Sequence, residues 1–233
     1  DLETLMSARA EKRRPVGGIM ALEGAHALEG KLENLDGLYN AGYRIFGLAH
    51  FFDNEMAGSM HGLEKYGLTE LGRQAIHRAE ELGMIIDLAH SSPAAIHEVL
   101  DIATQPLIVS HGGVKATCDV NRNLDDDMIR RVAANGGLIG VGFWDAAVCN
   151  FSPQGIVAAM IHIRDLVGVS YIALGSDFDG GVLTRFDISQ IAVITQALME
   201  AEFSEDEIAA IMGGNAIKLF YQVLSRPMTG TSD

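Results

Sequence analysis

Two histidines at matching positions raise the first chemical question. His90 stands two residues beyond the apolar run Met84–Leu88, and His111 stands two residues beyond Pro106–Val109. Neutral imidazole is a borderline donor that suits Zn²⁺, and a metal site needs several such donors aimed at one point. Taken singly, each histidine reads equally well as an ordinary polar residue closing a loop. The repeated placement favours a shared ion. Glu23 ends a third apolar run, Val16–Leu22. It is either a solvated loop acid or a further ligand, holding one ion or bridging two. His50 closes Tyr43–Leu48 beside Phe51 and Phe52, as a packed loop histidine or as a site residue. Arg122 shares a loop with Asp119, Asn121, Asp125 and Asp126. It is a local ion-pair partner or a bidentate clamp for a substrate carboxylate. Asp177 and Asp179 share the Gly-flanked turn after Tyr171–Leu174, and Asp177 lies nearer the strand end. His26, His61, His77, His97 and His162 lie in loops or on helices, and nothing in their placement assigns them chemistry.

These groups must be positioned by short apolar runs alternating with amphipathic stretches. Between His90 and His111, Ser92 is a helix N-cap and Pro93 a first helical position, so the unit is strand, loop, helix, strand. Helical spacing or caps predict further helices over Leu32–Ala41, from Thr69 to Leu82, from Asp125 to Ala134 and from Ser152 to Val167. Three more are expected over Asp187–Ala201, Ser204–Ile211 and Asn215–Val223, and the polar stretch Asp1–Arg14 reads as the end of a helix stopped by Pro15 and Gly17-Gly18. Six strands result, almost all ending in a polar residue. That is the layout of an α/β (β/α)8 TIM barrel, whose chemistry sits at the carboxyl ends of the strands, with about six of its eight strand–helix units in this chain. An open doubly wound sheet would also take six strands, but no Gly-rich dinucleotide or phosphate fingerprint follows any of them. One domain is expected over 1–225, with a polar tail over 226–233.

Composition narrows the partners. A net charge of −14 over 233 residues repels phosphate, which disfavours nucleic acid and anionic lipid as partners. The basic run Arg9–Arg14 is too short to reverse this. Two cysteines, Cys118 and Cys149, make no disulfide framework and suit a reducing compartment. No signal-like segment opens the chain and no run of 18 apolar residues occurs, so a cytoplasmic location is the expectation.

As a set, several stretches resemble the membrane dipeptidase (renal dipeptidase) family of zinc metallopeptidases, including its bacterial members. They are Ala21–Leu28 (ALEGAHAL), Leu68–Ser92 (LTELGRQAIHRAEELGMIIDLAHSS), Pro106–His111 (PLIVSH), Arg122–Asp126 (RNLDD), Leu174–Gly180 (LGSDFDG) and Gly213–Phe220 (GGNAIKLF). The resemblance implies a metal-bridging role for Glu23 and a shared zinc for His90 and His111. For His50 it implies contact with substrate and the tetrahedral intermediate, and for Arg122 a grip on the substrate carboxylate. Asp177 is implied beside the attacking water. The implied reaction is dipeptide hydrolysis at two zinc ions, tolerant of a D-residue at the carboxyl position. The family's His-x-Asp motif on its first strand has no match here. One zinc, an upstream segment or a homo-oligomer completing the site therefore enter the expectations. Two other readings are open: a metal-dependent amidohydrolase acting on a non-peptide amide or lactone, and an inactive truncated barrel with a binding or structural role. Where the family more often has a serine and a small residue after the second histidine, this chain has Gly112-Gly113.

Overall fold

Strands buried on both faces are written as near-continuous apolar runs, and all six expected runs form strands. The computed structural model describes residues 2–11 and 15–224. The strands are β1 (Met20–Leu22), β2 (Tyr43–Gly47), β3 (Ile85–Asp87), β4 (Ile108–Gly112), β5 (Leu138–Val141) and β6 (Ile172–Leu174). All neighbours pair in parallel, in the order β1-β2-β3-β4-β5-β6. Helix α1 (Leu2–Ala10) precedes β1. Helices α2 (Glu33–Asn40), α3 (Glu70–Glu81), α4 (Pro93–Ile102) and α5 (Asp126–Ala134) make the next four crossings. Two helices, α6 (Asp145–Val148) and α7 (Pro153–Val167), lie between β5 and β6. Then come α8 (Ala192–Glu200), α9 (Glu205–Ala209) and α10 (Asn215–Leu224).

The two-residue period of the strands divides the core. Phe46, Ile86, Val109, Ile139 and Ile172 point into the layer beneath the crossing helices. Their neighbours Ile45, Ile85, Ile108, Leu138 and Ala173 point the other way and are covered by Leu219 and Val223 of α10. Among the described residues the sheet ends at β1 and β6, and no closed barrel is seen.

The caps form as the sequence implies. Thr69, Ser92, Asp125 and Ser152 each accept a backbone N–H three residues on. Boundaries differ in a few places for local reasons. β1 begins at Met20 rather than Val16, and Val16 is left 96% exposed, because Gly17-Gly18 leaves the preceding chain off the sheet. The stretch 187–201 is broken into a short 3₁₀ turn and α8, and a wide turn at Ala210–Gly214 joins α9 to α10, with Gly213 at φ 150°. The tail over 226–233 and residues 12–14 of the basic run lie outside the described residues. By length and composition alone Asp145–Val167 would suffice to cross a membrane. Here Ile156, Val157, Met160 and Ile163 are buried in the core, as on a central helix of a globular fold.

The cysteines correct a sequence expectation. Cys118 and Cys149 are joined in a disulfide, because the β4–α5 and α6–α7 loops bring their Cα atoms to 5.3 Å. Asn123 locks the same two loops, donating to Cys118 O and Ala147 O at 2.7 and 2.8 Å. Gly113 is required there, since a Cβ would fall 1.8 Å from Ala147 O. Closing a loop across a separation of 31 residues should stabilise the fold by about 3–4 kcal/mol. Urea unfolding of the Cys118→Ala/Cys149→Ala protein should show that loss in free energy, and an unchanged midpoint would show that the bridge adds nothing.

Candidate metal centre and active site

The parallel sheet delivers its polar residues to one end. Glu23 follows β1, His90 follows β3, and His111 lies inside β4, which runs on to Gly112. Their atoms meet. His90 Nε2 lies 3.0 Å from Glu23 Oε1 and 3.0 Å from His111 Nε2, and His111 Nε2 lies 3.4 Å from Glu23 Oε1. Donors at Zn–ligand distances of 2.0–2.1 Å in a tetrahedral shell are separated by roughly 3.3 Å. The triangle has the edges of one face of that shell, so the residues present fit a zinc ion. His50 Nε2 stands farther out, 3.9 Å from Glu23 Oε1. Among the described residues, Glu23, His50 and His90 are also grouped tightly enough to hold an ion, their donor atoms within 4.8 Å of one another. His50 and His111 thus compete as the third ligand. The edges favour His111.

The backbone around His90 is held under strain. His90 has φ 63°, left-handed for a residue with a Cβ. Its carbonyl accepts Met60 N–H at 2.9 Å, which pins the β2–α3 loop over the site. The Asp53 carboxylate folds that loop by accepting Ser59 N–H and Glu64 N–H at 2.8 and 2.9 Å, and the Ser59 hydroxyl donates to His50 O. Asp177 shows the same left-handed backbone, φ 58°. It is half-buried, and its carboxyl is raised by burial and by Asp179 and lowered by Arg122. Asp179 is exposed and accepts Gly181 N–H. Asp177 therefore faces the site and Asp179 does not.

Arg122 does not pair with the acids of its own loop. Nη1 lies 3.1 Å from His90 Nδ1, Nη2 lies 3.4 Å from His111 O, and the guanidinium sits 4.8 Å over the Trp144 ring. Trp144 also packs 5.8 Å from His111. The site holds more than the sequence indicates. His61, assigned no chemistry above, has its ring 5.6 Å from His90 and 5.1 Å from Phe51, and Phe51 stacks 4.2 Å from His50. Asp87, buried at the end of β3, is a further acid beside the site. The signal available for it is a charge inside the otherwise apolar run Met84–Ala89.

Electrostatics leave the donors ready for a cation. The hydrogen bond from His90 holds Glu23 down to about 2. Burial pushes His90 down to about 4 and His111 down to about 3. At neutral pH both imidazoles are therefore neutral and the carboxylate is ionised, the forms that bind metal. Because these folded values lie below the unfolded ones, the unfolded chain binds more protons as the pH drops. The metal-free protein should thus be most stable above about pH 6.5 and lose stability as the pH falls through about 4, by at most about 1.4 kcal/mol per pH unit for each histidine. Asp87 and Asp177, raised by burial, act in the opposite sense closer to the ordinary carboxylate range. Urea unfolding in a chelator at stepped pH reads this slope. A flat profile between pH 7 and 4 would contradict it.

Residues 3–228 match the family model for membrane dipeptidase (Peptidase family M19). The chain is 31% identical over 218 residues to an uncharacterized dipeptidase of Schizosaccharomyces pombe, covering 89% of this chain and 53% of that protein. To human Dipeptidase 3 it is 29% identical over 238 residues, covering 96% and 48%. The chain spans about half the length of the curated relatives it matches. Among solved structures, the probable dipeptidase PvdM from Pseudomonas aeruginosa superposes with a TM-score of 0.88 at 23% identity, covering 97% of this chain and 74% of that one. A metallo peptidase from Rhodobacter sphaeroides, liganded with a phosphinate mimic of the dipeptide L-Ala-D-Ala, gives 0.84 at 23% identity, covering 95% and 67%. At these identities the structural likeness shows the fold.

Proposed function

The chain belongs to the membrane dipeptidase family (Peptidase family M19), and on that premise we propose that it works as a zinc-dependent dipeptidase, tolerant of a D-residue at the carboxyl position. The observation that carries the reading is the triangle of Glu23, His90 and His111, with edges of 3.0–3.4 Å. The L-Ala-D-Ala mimic bound to the Rhodobacter sphaeroides relative supports the stereochemical part. The six parallel strands are proposed as six of the eight in a (β/α)8 barrel spanning 1–225 as one domain, supported by likeness to solved chains of which this one covers about three quarters.

Glu23, His90 and His111 would hold the ion, which when bound supplies a Lewis acid and an acidified water. Arg122, buried beside His90, would bind the substrate's free carboxylate and so fix the scissile amide over the triangle. Asp177, with its carboxyl raised by burial, is suited to take a proton from the attacking water and pass it to the leaving amine. His50, at the open side of Glu23, would donate to the developing oxyanion. A second ion would use Glu23 as a bridge and needs ligands beyond these residues, from an upstream segment or a second copy.

One observation favours a variant of this reading, the grouping of His50 with Glu23 and His90. Zinc analysis of His50→Ala and His111→Ala separates the two. Loss of the ion from His111→Ala alone assigns His111. The function itself is tested by assaying the zinc-loaded protein, after chelation and reloading, on L-Ala-D-Ala, L-Ala-L-Ala, an N-acyl amide and a lactone. Zinc-dependent dipeptide turnover is expected. Turnover of the amide or lactone alone would make the protein a different amidohydrolase. No bound zinc and no turnover would make it a binding or structural protein.

A further inference from the structure

Behind the ligand triangle runs a chain of hydrogen bonds whose direction is fixed at both ends. At one end Arg122 can only donate, and its Nη1 lies 3.1 Å from His90 Nδ1. That nitrogen must accept, so neutral His90 carries its proton on Nε2. His90 Nε2 lies 3.0 Å from His111 Nε2, which must accept in turn. His111 therefore carries its proton on Nδ1, 2.8 Å from Ser110 Oγ. At the other end Asp87 is buried, and its Oδ1 accepts Ala89 N–H at 3.0 Å and Ser110 N–H at 2.9 Å. The Ser110 hydroxyl hydrogen-bonds the same carboxylate. As an acceptor, Asp87 takes the hydroxyl proton and leaves Ser110 Oγ free to accept from His111 Nδ1. Both ends, read independently, give one tautomer of His111.

We infer that Asp87 and Ser110 are positioning residues that hold His111 as the Nδ1–H tautomer, with its Nε2 lone pair aimed at the ion site. This rests on the proposed metal-binding role of His111. A ligand histidine whose other ring nitrogen donates to a fixed acceptor is locked in both orientation and tautomer. Here the acceptor is supplied by the next residue back in the same strand, and that residue is braced by a carboxylate from β3. The two ligand histidines are not equivalent. Arg122 holds His90 in the opposite tautomer, so binding through His90 Nε2 requires its proton to move to Nδ1 and Arg122 to turn away.

Long-range ¹H–¹⁵N correlation spectra of the zinc-free protein read the tautomer of His111 directly. The Nδ1–H form is expected. Ser110→Ala should allow a mixture of tautomers and weaken zinc binding about 10- to 100-fold, and Ser110→Thr, which keeps the hydroxyl, should restore both. Asp87→Asn places an amide donor against Ser110 and should turn the hydroxyl toward His111, shifting the ring to Nε2–H. An Nε2–H ring in the wild-type protein overturns the inference even if no variant folds. So does a folded Ser110→Ala with an unchanged tautomer and zinc affinity. If the wild-type protein shows the Nδ1–H ring and binds no zinc, the metal-site reading fails and the tautomer assignment survives.

Discussion

Replacing His90 with alanine should strip the ion and nearly all turnover. Its Nε2 is the corner shared by the two 3.0 Å edges of the triangle, and no other donor reaches both Glu23 and His111 so closely. Without it, Glu23 and His111 remain as a two-donor site open to water. Losing only a supporting hydrogen bond costs about 10–100-fold in metal affinity, so losing a ligand should cost at least about 10³-fold. kcat/KM should fall at least as far, about 4 kcal/mol, because the charge stabilisation of the reaction leaves with the ion. Zinc content after dialysis against a chelator, with turnover at buffered free zinc, checks this. His50→Ala is the contrast: it should keep zinc while losing activity. Zinc retained by His90→Ala with turnover within tenfold of wild type would place the ion elsewhere.

Much of this site is legible in the sequence because a parallel sheet puts the residue after each apolar run on one face. Glu23, His90, His111 and Asp177 follow from that rule alone. What the rule misses depends on contacts between loops distant in sequence. The pairing of Cys118 with Cys149 needs the β4–α5 loop folded against the α6–α7 loop, and the four-residue α6 that brings it there is too short to show a period. His61 reaches the site because Asp53 and Ser59 fold their loop back over His90, which no spacing encodes. The choice between Asp177 and Asp179 turns on a left-handed backbone at Asp177, a conformation the sequence Gly-Ser-Asp-Phe-Asp-Gly does not announce. Ser110 reads as one more polar residue in a strand until Asp87 is placed behind it.

Arg122→Ala should lower kcat/KM for dipeptides by about 30- to 900-fold, about 2–4 kcal/mol, and leave bound zinc in place. The structure makes the alternative, a local ion pair, hard to hold. Asp119, Asp125 and Asp126 surround Arg122 in sequence, yet among the described residues no carboxylate lies within 4.0 Å of its guanidinium. Its contacts are a neutral imidazole, a backbone carbonyl and the face of Trp144, and its Nε is buried without an acceptor. Burial lowers its pKa, and only the more distant charges of Asp177, Glu23 and Asp87 support it. A buried cation without a directly paired anion is costly, and the cost is recovered when an anion arrives. A dipeptide's free carboxylate is such an anion, and a guanidinium takes it bidentately where an ammonium would not. The loss should therefore show mainly at subsaturating substrate, and Arg122→Lys should recover only part of it. A dipeptide with its carboxyl group amidated separates recognition from scaffolding. The wild-type protein should handle it poorly, and Arg122→Ala should handle it no worse. Equal losses on the free and amidated substrates would mean that Arg122 braces His90 and Trp144 without reading the carboxylate.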